Sequence, residues 1–309
     1  MKLLYLHEAL GSLGGAEANV LITATEFSKR GVEVGLVTQK ETGKNTEKWK
    51  ALFRDNIFYY DQAEPSEIID KFQPNVVYTH KWSHLPTLEN WVKCDIPMAR
   101  MVHDHESYCL RGYKYFPVSR EICRKPAGLH CVFPCLAMLK INRGKFPPVE
   151  LQSYSEKLKE ISLCRQMDAQ FVVTDYMQNE LLINGFSEEK IHIFPPVPRE
   201  VEPVNSTYSD RNLIIFAGQI IRGKGVDLLV KALSQMKEPF ECVVLGEGSH
   251  QSRCQQLCDE LQVADKVRFA GFIPQRELQG YYIFATVLVV PYVWPEPFAK
   301  FGLEAMKSG

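Results

Sequence analysis

The chain has 309 residues, a length that suits about two domains. Its 36 basic and 37 acidic residues leave a formal net charge of −1, which argues against a bulk nucleic-acid binder with its basic excess. Charged residues at 24% and hydrophobic residues at 45% exclude wholesale disorder, and the longest apolar run, Thr286 to Val293, is strand-sized against the ~20 residues of a membrane-spanning helix.

Short apolar runs alternate with helical stretches from the start. Lys2 to His7 reads as a buried strand rather than a secretory segment, because His7, Glu8 and Gly11 interrupt the apolar run. A helix is expected over Ala16 to Arg30 and a strand over Glu33 to Thr38. Asn75 to Thr79, Met98 to Val102, Ala169 to Thr174 and Lys190 to Phe194 are further strand-like runs. Pro195, Pro196, Pro198 and Pro203 then break the rhythm and place a domain boundary near residue 200. The alternation restarts with strands at Asn212 to Ala217, Cys242 to Leu245, Val267 to Phe269 and Val287 to Val290. Helices are expected at Gly225 to Met236, at about Ser249 to Gln262 and from near Phe301. Such alternation implies βαβ units and parallel sheets, an α/β fold of two Rossmann-like domains covering 1–200 and 201–309. The helix from Leu303 to Gly309 reads as unfinished, so the second domain is expected to be incomplete, with apolar surface at its end exposed or covered by a partner.

Residues 104–148 fit neither half. Cysteines, aromatics and basic residues replace the apolar rhythm, and an irregular stretch of that size tends to be functional. Cys109, Cys123, Cys131 and Cys135 could close a tetrahedral zinc site, with His130 as a substitute ligand, or serve an iron–sulfur cluster, or be four free thiols in a lid. Arg111, Lys114, Arg120, Arg124 and Lys125 interleave with Tyr108, Tyr113, Tyr115, Phe116 and Phe133. That mixture suits a lipid headgroup, an anionic acceptor, a nucleic acid or a plain solvated lid. Nine cysteines, an odd number, are expected as thiols or metal ligands rather than disulfides. Cys254 and Cys258 share one helix face and read as packing residues, and His80 and His84, flanking Trp82, as core or rim histidines.

Three segments have the residue types for handling a phosphorylated ligand. Leu13-Gly14-Gly15-Ala16-Glu17 joins the first strand to the first helix, where backbone N–H groups can meet an anion or the chain can simply turn. It lacks the G-x-G-x-x-G dinucleotide pattern. The run from Phe216 to Gly225 ends a strand with a glycine-rich turn bearing Arg222 and Lys224, which could neutralise a diphosphate or be solvated. In Pro295 to Met306, Glu296 sits in a loop and Glu304 in the helix that follows, either as a ligand-binding pair or as ordinary acidic bias at a helix start.

In order and spacing these motifs, with His103-Asp104 after a strand and Gly246-Glu247-Gly248 in the second half, resemble a retaining glycosyltransferase of the family-4 type with the GT-B fold. The resemblance covers nearly the whole chain and implies two domains facing across a cleft. It implies transfer of a sugar from a nucleotide-diphosphate sugar, with retention of configuration and no catalytic metal; no Asp-x-Asp motif is present. It places His103 near the transferring sugar, Glu296 on the donor's sugar hydroxyls, Lys224 on the diphosphate and Glu304 on the ribose hydroxyls. Glu247 falls near the base, Gly14 and Gly15 beside the phosphates or acceptor, and Gly218, Arg222 and Phe298 on the donor side. His103, Glu296 and Lys224 are thus the expected catalytic set.

Three departures stand out. Gln219 occupies the position where the family usually has Arg, Ala299 replaces the glycine of E-P-F-G, and Lys300 stands where an apolar residue is common. The implied acceptor is a glycan, a lipid-linked molecule or a small molecule, with peripheral contact at the inner membrane face of an otherwise cytoplasmic protein. For the cysteines a structural zinc stays one reading, beside an iron–sulfur cluster and four free thiols. A nucleotide-sugar epimerase on the same fold and a non-catalytic sugar-nucleotide-binding protein are the alternatives.

Overall fold

The structure, a computed structural model, describes residues 1–11, 15–116, 118–141, 149–195 and 212–308. The chain divides into two compact units, Met1–Gly112 with Lys125–Pro195 and Tyr113–Arg124 with Pro196–Gly309. The boundary expected near residue 200 falls within 196–211, outside the described residues.

The first unit is built on a seven-stranded parallel sheet. Its strands are β1 Lys2–Leu6, β2 Glu33–Thr38, β3 Ile57–Tyr59, β4 Val76–Thr79, β5 Met98–Met101, β6 Ala169–Val172 and β7 Ile191–Ile193, in the spatial order β7-β6-β5-β4-β1-β2-β3. The helices are α1 Gly15–Lys29, α2 Thr46–Phe53, α3 Pro65–Phe72, α4 Leu85–Val92, α5 Tyr154–Gln166 and α6 Asp175–Ile183. Leu3, Leu4, Tyr5 and Leu6 are all buried, the unbroken apolar run that a strand covered on both faces requires. On one face Leu3, Tyr5, Val34 and Leu36 pack with Val20, Ala24, Trp49 and Phe53 of α1 and α2. Each fully buried aromatic or aliphatic side chain of this kind contributes about 1.5–3 kcal/mol relative to exposure. Ser153 and Thr174 begin α5 and α6 by accepting the backbone N–H groups of Glu156 and Met177, at 3.2 and 3.3 Å.

The second unit repeats the plan with a four-stranded parallel sheet, β8 Leu213–Ala217, β9 Glu241–Leu245, β10 Val267–Gly271 and β11 Val287–Leu288, ordered β10-β9-β8-β11. Its helices are α7 Val226–Leu233, α8 Gln251–Glu260, α9 Gln275–Phe284 and α10 Lys300–Lys307. Ile214 and Phe216 point into a cluster with Val226, Val230, Cys254 and Cys258, so the two α8 cysteines are packing residues as expected. Ile215 and Ala217 pack on the other face against Leu278 and Tyr282.

Much of the irregular segment 104–148 has structure. It contains 3-10 turns at His105–Ser107 and Leu129–Cys131, a bridge between Tyr115 and Ile122, and a strand pair Leu139–Ile141 with Val149–Leu151. No helix among the described residues is long and apolar enough to cross a membrane.

Candidate functional site

Where the strand order of an open parallel sheet reverses, connections leave in opposite directions and the carboxyl ends of two neighbouring strands open a crevice. In the second unit that point lies between β8 and β11. The chain leaving β8 runs from Gly218 through the turn Arg222–Lys224 into α7; the chain leaving β11 carries Tyr292, Trp294 and Glu296.

Glycine is required where these loops meet. Gly225 has φ +69°, and a Cβ there would lie 1.9 Å from the Pro291 carbonyl oxygen. Gly246, at the end of β9, has φ +134°, and its Cβ would fall 2.0 Å from the Gly218 carbonyl oxygen. The Val293 N–H donates to the Gly223 carbonyl at 3.0 Å and ties the two loops together.

Lys224 is the centre of this arrangement. Its ammonium bonds the Glu296 carboxylate and lies 3.9 Å from the centre of the Tyr292 ring and 5.2 Å from that of Trp294. Burial holds its pKa below the ordinary lysine value, against the opposing pull of Glu296. Glu304, buried on α10, accepts the Tyr282 hydroxyl at 3.3 Å. Burial, followed by the neighbouring Glu304, raises the pKa of that phenol, which keeps it a donor. Neither α7 nor α10 has a side-chain cap at its start.

The remaining donor-side candidates are more open. Arg222 is exposed, with one guanidinium nitrogen 3.5 Å from the Val118 carbonyl oxygen. Glu247 is exposed and accepts the Phe272 N–H at 3.3 Å. Gly218 and Phe298 are half-buried, Gly15 is exposed at the start of α1, and Gly14 lies outside the described residues. Gln219 and Lys300, two of the departures, are exposed.

Sequence reasoning missed a strap. Tyr113–Arg124, read as part of a lid on the first domain, belongs to the second unit. The Tyr113 ring lies 5.7 Å from that of Trp294, and a Cβ on Gly223 would come within 3.4 Å of Tyr115. Arg120, with φ +61°, reaches Asp227 in the first turn of α7 at 2.7 Å; the second Asp227 oxygen lies 3.9 Å from His250 Nε2. The sequence signal was only the basic and aromatic mixture itself.

In the first unit the strand order reverses between β1 and β4. His7 and His80 directly follow those strands, and His103 lies two residues past the adjacent β5. His80 Nδ1 and His103 Nε2 are 2.8 Å apart. The Lys81 N–H donates to His7 Nδ1 at 3.4 Å, which leaves the neutral ring's proton on Nε2, 3.8 Å from Glu17. Burial, with Lys81 adding, lowers the His7 pKa to about 4. His80 and His103 border a cavity of about 80 Å³ lined also by Lys81, Asp104, Glu106 and Lys157. Asp104 accepts the Glu106 N–H at 2.9 Å, while burial and then the Glu106 charge raise its pKa. His80, read as a core or rim residue, is indeed buried, and its contact with His103 had no signature in the sequence.

The zinc expectation needs correction. Among the described residues, no three His, Cys, Asp or Glu side chains gather where they could hold a metal ion. Cys123 belongs to the second unit; Cys109, Cys131 and Cys135 belong to the first. None of the four is in a disulfide, and Cys123, Cys131 and Cys135 are buried.

The chain has recognisable relatives. Residues 13–197 match the model of Glycosyltransferase Family 4, and residues 199–309 match that of Glycosyl transferases group 1. The chain belongs to glycosyltransferase family 4. This family member is 35% identical over 102 residues to the uncharacterized glycosyltransferase MJ1607 of Methanocaldococcus jannaschii, a match spanning 32% of the chain and 26% of the relative. It is 27% identical over 232 residues to the D-inositol 3-phosphate glycosyltransferase of Thermobifida fusca, spanning 67% of the chain and 51% of the relative. The matches therefore span about a quarter to a half of these two relatives' lengths. HepE of Anabaena, solved in complex with UDP, superposes with a TM-score of 0.65 at 14% identity, over 100% of this chain and 79% of its own. That likeness establishes the fold, which is GT-B.

Proposed function

We propose that the chain transfers a sugar from a nucleotide-diphosphate sugar to a hydroxyl-bearing acceptor, a glycan, a lipid-linked molecule or a small molecule, with retention of configuration and without a catalytic metal. The observation that carries this reading is the Lys224–Glu296 pair at the strand-order reversal of the second unit.

Breaking a sugar–phosphate bond builds negative charge on the leaving diphosphate and positive character on the sugar ring. A buried ammonium two residues before the uncapped start of α7 stabilises the first, and it does so most effectively where water is excluded. In this reading Lys224 exchanges its carboxylate partner for the diphosphate, and Glu296 turns to the donor's sugar hydroxyls. Glu304 takes the ribose hydroxyls, Glu247 and Phe298 border the nucleotide, and His103 serves the transferring sugar. Family membership supports the reaction class, and HepE, solved with UDP and with UDP-glucose, supports a uridine nucleotide.

Calorimetry with UDP, GDP and ADP tests the nucleotide. Affinity for one of them is expected, and none for any of the three overturns the proposal. Glu296→Gln is then compared with the wild type in transfer of radiolabelled sugar to candidate acceptors; an unchanged rate defeats the assignment of Glu296.

A further inference from the structure

We infer that His80 is a positioning residue that locks His103 in the Nδ1–H tautomer by donating a hydrogen bond from its own Nδ1 to His103 Nε2. The inference rests on the proposed role of His103 and adds a partner that sets that residue's chemistry.

The geometry leaves two ways to place one proton. At 2.8 Å the two ring nitrogens share a hydrogen bond, so one is a donor and the other an acceptor. If His103 donates, neutral His80 must carry its proton on Nε2. That atom is buried and, among the described residues, has no hydrogen-bond partner. A buried N–H without an acceptor loses its hydration with nothing in return, and orphaned N–H groups are rarer in folded proteins than under-used acceptors. If His80 donates instead, its Nε2 is left as a bare lone pair, the less costly residue of the choice.

The surroundings exclude the third state, a doubly protonated His80. Its ring is enclosed by Tyr5, Tyr78 and His7, with ring centres 5.6, 4.5 and 6.2 Å away. Among the described residues no carboxylate pairs or hydrogen-bonds with it, and burial followed by the nearby His103 and His7 holds it neutral. The placement is built into the sheet, because β4 and β5 pair in parallel with Thr79 opposite Arg100, which brings the residues after each strand side by side.

The consequence concerns what His103 can do. Its Nε2 lone pair is occupied by His80, so its proton sits on Nδ1. Such an imidazole donates a hydrogen bond to an oxygen, for example a sugar hydroxyl, and does not act as a base through Nε2.

Nuclear magnetic resonance of the full chain labelled with ¹⁵N-histidine decides the matter without any substrate. Long-range ¹H–¹⁵N correlations report which nitrogen of each ring is protonated, and His103→Gln identifies the His103 signals. The expected wild-type spectrum at neutral pH shows His103 with a protonated Nδ1 and a bare Nε2. A protonated Nε2, or an even mixture of tautomers, overturns the inference. His80→Asn, whose amide can still donate, is expected to preserve the His103 pattern, and His80→Leu to convert it into a mixture; an unchanged pattern in a folded His80→Leu chain also overturns it. UDP calorimetry on the same sample tests the proposed function separately, so a fixed tautomer without nucleotide binding defeats that function and leaves the lock standing.

Discussion

Lys224 holds the Glu296 carboxylate while its Nζ lies 3.9 Å from the centre of the Tyr292 ring. The cation is enclosed by one carboxylate and two aromatic faces, and the carboxylate opposes the cost that burial places on its charge. In the proposed function an incoming diphosphate supplies more negative charge than the carboxylate and competes for the same ammonium.

Lys224→Met is expected to weaken nucleotide-diphosphate binding by roughly 10- to 150-fold, the equivalent of about 1.5–3 kcal/mol for a hydrogen bond to a charged group. Because burial lowers the Lys224 pKa, the wild-type affinity falls as pH rises through a value below the ordinary 10.5. Calorimetry of UDP binding across the alkaline range, in wild type and Lys224→Met, checks both statements; the variant's profile should lack that step.

Glu304 is buried against the Tyr282 hydroxyl, and its proposed partners are the ribose hydroxyls. Glu304→Gln is expected to reduce affinity for UDP by about tenfold, near the lower end for a charged hydrogen bond. The same substitution should cost much less for 2′,3′-dideoxy-UDP, since the partner is then already missing. Equal losses for the two ligands would place Glu304 elsewhere than at the ribose.

Arg120 and Asp227 join the strap to α7 with side chains 17% and 11% exposed, between a surface pair and a buried one. Removing Arg120 leaves Asp227 with a distant His250, so Arg120→Ala should destabilise the second unit by about 1–3 kcal/mol. The double variant Arg120→Ala, Asp227→Asn should lose less than the two single losses added together. Urea unfolding followed by Trp fluorescence gives the cycle, since Trp294 belongs to this unit.

His7 is buried, and burial brings its pKa from 6.5 down to about 4. Between those values the unfolded chain binds the proton and the folded chain does not, so stability declines as pH falls through this window. The loss reaches roughly 3 kcal/mol at pH 4 for this residue alone. Denaturant midpoints for wild type and His7→Asn from pH 7 to pH 4 should converge as the pH falls, because the variant lacks this titration.

The alternation of apolar runs and helices was legible because a strand covered on both faces must be apolar throughout, as Leu3 to Leu6 and Cys242 to Leu245 are. The glycine turn at Gly225 and the Glu296–Glu304 spacing were legible for a related reason: they are local. A turn with positive φ or a helix start places its residues within a few positions of one another, and residue type records that requirement directly. Short helices such as α3 and α4, and the brief strand β3, were not named in advance, since three to eight residues hold too little periodicity to stand out.

Strand order decided the rest. His7, His80 and His103 are far apart in sequence and come together because β1, β4 and β5 lie side by side, an arrangement that no local pattern states. The strap joined the second unit through Arg120 and Tyr115, and among the described residues the four cysteines do not gather, although their spacing had allowed it. By itself the sequence determined the kind of units, their glycine turns and the residue types at each strand end, because burial and backbone conformation act over a few neighbouring positions. Only the tertiary structure decided which strand ends adjoin and which side chains share a proton or a charge, because those contacts depend on how distant segments cross over one another in space.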